Sequence, residues 1–241
     1  MLLDEVGVKK DVSDYPAYSV VNFSEVKKAG RMDAEYFQNR FGELIAVTDY
    51  PVKPLGEFVD IKKGFEPGSE AYEESGKLFI RVSSLSKEGI TDKDQKYLNE
   101  KLFSELKANF QPKKGEILLT KDATPGIAYV LKEPIEGIIS GGVVRLKVKE
   151  GMDPEYLALC INSIFGQLQV DRYAGGSIIK HWKLEQIKKI FIPIVPLKIQ
   201  QKIAEMVRES HTARAKAKQL LEIAKRGVEM AIEKDKKEAE Q

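Results

Sequence analysis

The stretch GEILLTKDATPGIAYVLKEPIEGIISGGVVRLKV, residues 115–148, carries the plainest strand signals in the chain. Ile117 to Thr120, Ile127 to Leu131 and Val143 to Val148 are short aliphatic and β-branched runs. Gly115, Gly126, Gly137, Gly141 and Gly142 stand between them, as tight turns require. The last run alternates, with Val144, Leu146 and Val148 on one face and Arg145 and Lys147 on the other. Outward from here, Phe58 to Ile61 and Leu78 to Val82 read as two further strands, followed by turns that contain Gly64 and Gly89. Two helices interrupt them. One runs from Glu100 to about Asn109 with Asn99 as its cap. The other opens at Asp153-Pro154, a cap followed by proline at the first helical position, and Leu157, Cys160, Ile161 and Ile164 fall on one apolar face. This irregular order predicts an α+β fold, a mixed α/β domain with no doubly wound sheet.

The flanks differ from this domain, which spans residues 54–196. Residues 1–53 read as an entry segment packed on it, with a helix that Asp33 caps and that Tyr36, Phe37, Phe41, Leu44 and Ile45 line. Tyr50-Pro51 ends that helix. Residues 197–241 read as one long helix, with no proline and Gly227 as the only glycine. Ile199, Ile203, Met206, Ser210, Ala213, Ala217, Leu220, Ala224, Gly227 and Ala231 alternate in steps of four and three, the seam of a coiled coil. At 1.5 Å per residue this seam is a rod of about 50 Å. Its middle is built of small residues, so a partner helix must approach closely. The competing reading folds the helix back onto its own domain; its length favours a partner outside the domain.

Composition narrows the function. Lys and Arg total 39 against 37 Asp and Glu, a formal charge of +2, so any nucleic-acid contact must come from local clusters. No apolar run is long enough to span a membrane, and Met1 to Val12 has no secretory pattern. The single cysteine, Cys160, forbids an internal disulfide and fits a reducing cytoplasm, and two histidines leave little for a zinc site or a triad. No phosphate-binding glycine loop, dinucleotide fingerprint or nucleophile elbow is present. Cys160 reads as a small buried hydrophobe and His211 as a residue on the solvated side of the long helix. Asp60-Ile61-Lys62 with Glu57 nearby is the most that a metal-dependent nuclease would find, and such a site needs further acids. Asp153-Pro154-Glu155-Tyr156 lacks the second proline of an adenine methyltransferase motif.

What the chain does offer is a set of polar loops. Lys62 and Lys63 precede Gly64, Arg81 precedes Ser83 and Ser84, and Lys121 and Thr124 precede Gly126. Arg172, Ser177, Lys180, His181, Trp182 and Lys183, around Gly175 and Gly176, make the densest cluster. Cations neutralise phosphates, hydroxyls fix register, and bidentate groups read base edges. A solvated turn explains any one loop as well. Loops of this kind trailing the strands of one domain favour a shared binding face.

These residues carry a resemblance. Pro54 to Gly64, PLGEFVDIKKG, resembles the opening of a target recognition domain in the specificity (S) subunits of type I restriction-modification systems. Phe79 to Leu85, Gly115 to Gly126 and Ile139 to Leu146 resemble that family's next blocks in order. The longest match runs from Tyr173 to Ala204, through GSIIKH, IPIVPL and QQKIA. Ala123 and Pro125 stand where the family's loop often has glycine and a residue other than proline. The resemblance implies a non-catalytic subunit that recognises double-stranded DNA through one target recognition domain. It would hold no cofactor itself and would direct a methyltransferase (M) subunit, which binds S-adenosylmethionine, and in the full complex a restriction (R) subunit. A full S subunit is similar to two such units in tandem, so this chain is expected to form a homodimer through antiparallel pairing of its long helices. Two other readings stand beside this one: an adaptor that binds protein through its coil, and the recognition portion of a fused restriction-methylation enzyme.

Overall fold

In the computed structural model, residues 18–39, 41, 48, 50–174 and 180–239 are described, with backbone alone for 234–239. The strand Val143–Val148, β8 in chain order, is central. It pairs antiparallel with β2 (Val59–Lys63) on one side and β5 (Ile117–Thr120) on the other, with Ile61 and Ile117 both opposite Leu146. With β6 (Ala128–Val130) beside β5, they form a four-stranded sheet in the order β2-β8-β5-β6. A second sheet holds β4 (Lys96–Leu98), β3 (Lys77–Ile80) and β7 (Gly137–Ile139), the last two parallel. A third, two-stranded ladder joins β1 (Val52–Pro54) to β9 (Phe191–Pro193), so both chain-ends of the domain meet.

Alternation along β5 and β8 sorts the layers. Ile117, Leu119, Val144 and Leu146 are buried on one face against helix α3 (Pro154–Asn162), in a core that includes Tyr156, Leu157, Cys160 and Ile161. Leu118 and Val143 point the other way, onto Ile80, Leu85 and Ile139 of the second sheet. That sheet in turn covers Phe103 of helix α2 (Glu100–Phe110) with Phe79, Leu98 and Ile138. The layers are thus helix, sheet, sheet, helix.

Because both faces of β8 are covered, Arg145 does not point to solvent as simple alternation expects. It is 3% exposed. Its Nη1 donates to the Gln111 carbonyl at 2.5 Å and its Nη2 to the Asn109 carbonyl at 2.5 Å, with Glu116 Oε2 3.4 Å away. Those carbonyls end α2, where no intrahelical N–H remains for them and where the helix dipole favours a cation. The guanidinium therefore fastens the outer helix to the central strand.

Both expected caps are present. Asn99 Oδ1 accepts from Leu102 N at 2.9 Å, and Asp153 Oδ1 accepts from Glu155 N at 2.8 Å and Tyr156 N at 3.2 Å. The second apolar face ends sooner than its spacing suggests. Ser163 closes α3 and caps α4 (Ile164–Tyr173), leaving Ile164 39% exposed and outside the face with Leu157, Cys160 and Ile161. Gly166 is needed at that junction, since a Cβ there would lie 2.3 Å from the Ile161 carbonyl. Cys160 is buried beside Tyr156, and burial pushes its thiol up to about 12, as an inert core residue.

At the N-terminal side lies a short helix α1 (Phe23–Ala29), absent from the sequence expectations, where Glu25 Oε2 accepts from Asn22 N at 2.9 Å. After Asp33, where a helix is expected, residues 34–37 form a turn and Asn39 and Phe41 are helical, with Phe41 buried against Phe165 and Leu168; Leu44 and Ile45 lie outside the described residues. Tyr36 sits between two guanidinium groups, Arg31 at 4.6 Å and Arg172 at 4.7 Å from its ring centre. A one-turn helix α5 (Leu184–Ile187) precedes β9.

The last helix, α6 (Leu197–Ala239), is 43 residues long and divides in two. Ile203 and Ala204 are buried, Ile199 packs on the same core, and Gln200 bridges Asp153 N and the Val195 carbonyl. Met206 is half-buried along a cleft it shares with Ala158 and Leu159 of α3. Ile199, Ile203 and Met206 therefore face their own domain, so they do not begin the free coiled-coil seam that the spacing suggests. Beyond Thr212 the helix stands in solvent, with Ala213, Ala217 and Ala224 exposed and Leu220 55% exposed.

Replacing Arg145 with alanine strands the α2 carbonyls and the Glu116 carboxylate in a dry layer. The expected loss is about 3–5 kcal/mol of unfolding free energy, read from urea denaturation followed by circular dichroism.

Candidate nucleic-acid interface

Strand direction gathers the polar loops at one edge. The last residues of β2, β3, β5 and β7 and the first of β8 are held there by cross-strand bonds. Ser140 N donates to the Ile80 carbonyl at 2.9 Å, Gly64 N to Val143 at 3.1 Å, Phe65 N to Ile139 at 2.9 Å and Lys121 N to Gly142 at 2.9 Å. Two glycines make this convergence possible. A Cβ on Gly64 would sit 2.0 Å from the Ser140 carbonyl oxygen, and one on Gly142 would sit 2.8 Å from Val82 Cγ2. The loops after Lys63, Ile80 and Thr120 thus leave the sheets side by side.

The Lys180 to Lys183 segment joins them. Ala123 N donates to the Lys180 carbonyl at 2.9 Å, Trp182 N donates to the Lys121 carbonyl at 2.8 Å, and Asp122 and His181 form an antiparallel bridge. Segments 59 residues apart in sequence become one small ladder. Ala123 holds φ of 58°, the left-handed region in which a side chain costs about 1–2 kcal/mol. The position where the resembling family often has glycine is thus one whose backbone asks for glycine.

Charges at this edge come in two kinds. Lys62, Lys63 and Lys183 are exposed and have no ion pair among the described residues. The other cations are held by aspartates. Arg81 Nη1 donates to Asp94 Oδ2 at 3.0 Å, Ser83 Oγ donates to the same oxygen at 3.0 Å, and the guanidinium lies 5.5 Å from the Tyr72 ring centre. The Lys121 ammonium contacts Asp122, whose other oxygen is 2.9 Å from His181 Nδ1. Lys180 Nζ donates to Asp171 at 3.2 Å. Thr124 is exposed at the loop tip. Asp94 and Tyr72, which complete the Arg81 site, carried no sequence signal.

Three of the expected contact residues do other work. Ser84 is fully buried, accepting from Arg81 N at 3.0 Å and donating to the Arg81 carbonyl. Trp182 is 1% exposed and belongs to the main core. The Arg172 guanidinium donates to the Tyr36 carbonyl at 3.2 Å, fastening the N-terminal segment. Ser177, Gly175 and Gly176 lie outside the described residues. The nuclease reading finds Asp60 exposed beside Lys149 at 3.9 Å and Glu57 beside Lys53 at 3.7 Å. Among the described residues no group of three His, Cys, Asp or Glu could hold a metal, and no helix is long and apolar enough to cross a membrane.

Away from this edge, a 690 Å³ cleft separates α6 from the turn Ser86 to Asp92. Arg214 spans it to Glu88 at 2.9 Å. His211 is half-buried in this cleft and not on a solvated face; burial and the nearby Lys132 cation hold its imidazole below the usual range.

The family model described as "Type I restriction modification DNA specificity domain" matches residues 48–222, which takes in the sheets, the convergent loops and the buried half of α6. The chain belongs to that family. This specificity domain also resembles solved structures. The HsdS subunit of Thermoanaerobacter tengcongensis is 18% identical, with 73% of this chain and 44% of that one covered and a TM-score of 0.49. The type I S subunit from M. genitalium is 18% identical over 66% of this chain and 38% of that one, at a TM-score of 0.47. The type IIG restriction endonuclease BpuSI is 11% identical over 78% of this chain and 30% of that one, at 0.52. The specificity domain spans less than half the length of each of these chains. No curated protein matches it. Its fold class is the mixed α/β one expected, followed by the long helix.

Two substitutions separate packing from contact. Trp182→Ala should cost about 3–5 kcal/mol of stability in a denaturation series. Ala123→Gly should raise stability by about 0.5 kcal/mol, because relief of the left-handed strain exceeds the entropy added to the unfolded chain.

Proposed function

We propose that this specificity domain recognises a short sequence in double-stranded DNA and performs no chemistry of its own. The observation that carries the reading is the convergence of the Lys63, Arg81, Lys121 and Lys180 loops on one sheet edge, in a chain whose family is named for DNA specificity. Loops on a rigid scaffold can present hydroxyls and forked donors to base edges while lysines meet phosphates. Lys62, Lys63 and Lys183 suit the backbone; Arg81 with Ser83, and Lys121 with Thr124 and His181, suit the groove.

The chemistry belongs to partners in this reading. A separate methyltransferase subunit supplies S-adenosylmethionine and the methyl transfer, and a restriction subunit joins the full complex. The solvent-exposed half of α6, from Ala213 onward, supports association with a second copy, since Leu220, Leu221, Ile223 and Val228 are each more than half exposed. Two-fold pairing of that half would set two recognition domains on a palindromic, gapped target. The reducing cytoplasm, where such complexes meet DNA, suits the lone buried Cys160.

An electrophoretic shift with random-sequence duplex, with and without the methyltransferase subunit, tests the reading. Weak binding alone that becomes sequence-selective with the partner is the expected result; no retardation in either arm overturns it. Lys183→Ala should weaken all duplexes alike and reduce the salt slope by about one. Light scattering at micromolar concentration should give the mass of two chains, and a strict monomer ends the dimer reading.

A further inference from the structure

On this proposed DNA face, three cations (Arg81, Lys121 and Lys180) and the His181 imidazole already have a carboxylate, and the carboxylates are all aspartates from elsewhere in the chain or from the loop itself. Asp94 accepts from both Arg81 and Ser83. Asp122 lies between Lys121 and His181. Asp171 holds Lys180. These pairs are not equally exposed. The Lys121 and Asp122 side chains retain 19% and 22% of their accessible surface, those of Arg81 and Asp94 31% and 48%, and those of Lys180 and Asp171 50% and 47%. Charges near a low-dielectric wall act on each other several times more strongly than in open water, so the Asp122 pair is the one that matters most.

The position of these carboxylates decides what they do to a duplex. An acid in the interior of a loop face meets each approaching phosphate with a repulsion that offsets the neighbouring cation. Only a ligand that offers the cation a better acceptor, and the carboxylate a donor, recovers both. A base-pair edge in the major groove does so: guanine O6 and N7 accept from an arginine or lysine, and the cytosine N4 amine donates to an aspartate. A phosphate can satisfy the cation but leaves the carboxylate repelled.

We propose that Asp122 and Asp94 are specificity-determining residues, counter-charges that suppress binding to the phosphate backbone alone and so reserve Lys121, His181 and Arg81 for base edges. The inference rests on the proposed DNA-recognition reading. It divides the face by mechanism. Lys62, Lys63 and Lys183 supply the sequence-independent grip, and the aspartate-held groups add affinity only on a correct base edge.

The test uses the full chain and a fluorescein-labelled random-sequence duplex, with affinity followed by anisotropy from about 25 to 200 mM salt. Asp122→Asn and Asp94→Asn preserve side-chain shape and remove one negative charge. Each should tighten random-duplex binding by about fivefold at low salt and steepen the salt slope by about one, as a newly available cation meets a phosphate. Asp122→Glu, which keeps the charge, should bind like the wild type. Thermal unfolding of each variant shows whether the loop ladder survives. Unchanged or weaker random-duplex binding by folded Asn variants, with wild-type binding intact, overturns the counter-charge role and leaves DNA recognition standing. A wild-type chain that fails to bind duplex at the lowest salt, both alone and with the methyltransferase subunit, overturns the recognition reading and this inference with it.

Discussion

The buried guanidinium of Arg145 is the contact through which the layers of the domain are tied together. A charge at 3% exposure is costly unless it is paired; Nη1 and Nη2 meet the terminal carbonyls of α2, and Nε is buried without a hydrogen-bond partner. The same residue belongs to β8, which pairs with both β2 and β5. The outer helix and the central strand therefore share one polar contact. An apolar residue in its place would leave those carbonyls without a donor, so the site cannot drift to a different register without leaving a carbonyl or a cation unsatisfied.

Register matters because the candidate face is an edge property. The loops after β2, β3 and β5 are neighbours only if the ends of those strands align, and the alignment is fixed by hydrogen bonds at Gly64, Lys121 and Ser140. A slip of one residue in β8 would exchange Val144 and Leu146 with Val143 and Arg145 between the two faces. The core thus specifies the geometry of the surface beside it. Trp182 shows the coupling directly, since its backbone N–H closes the ladder with Lys121 while its ring packs in the main core.

Much of this was legible in the sequence, and what was not has physical reasons. Val143–Val148 alternates and Ile117–Thr120 is three aliphatic residues followed by a β-branched threonine, and both appear at the expected bounds. The Asn99 and Asp153 caps were equally plain because capping depends on local chemistry. β1, β4, β7 and β9 are three residues each, too short for any period, and exist because a partner strand is present. The loops were found, but burial within them was not: Ser84 and Trp182 look like their neighbours in a list of polar and aromatic residues, and only the turn that follows Arg81 and the ladder at Lys121 send them inward. Arg172 misled for another reason, as its partner Tyr36 is 136 residues away.

The long helix shows how one periodic stripe can serve two ends. A seam that reads without interruption from Ile199 to Ala231 is apolar wherever it must be buried, and periodicity does not distinguish a domain from a partner as the burying surface. Bulk supplies the distinction. The early seam positions are Ile199, Ile203 and Met206, large enough to fill the space over α3, whereas Ala213, Ala217 and Ala224 leave a shallow stripe that makes almost no contribution against a domain surface but lets another helix come near. Because the first turns are locked into the core through Gln200 and Ile203, the direction of the exposed half is set by the domain that carries the loops. In the proposed pairing, a rod so anchored would transmit the position of its partner to the loop face as an offset set by its length, since a helix advances about 1.5 Å per residue.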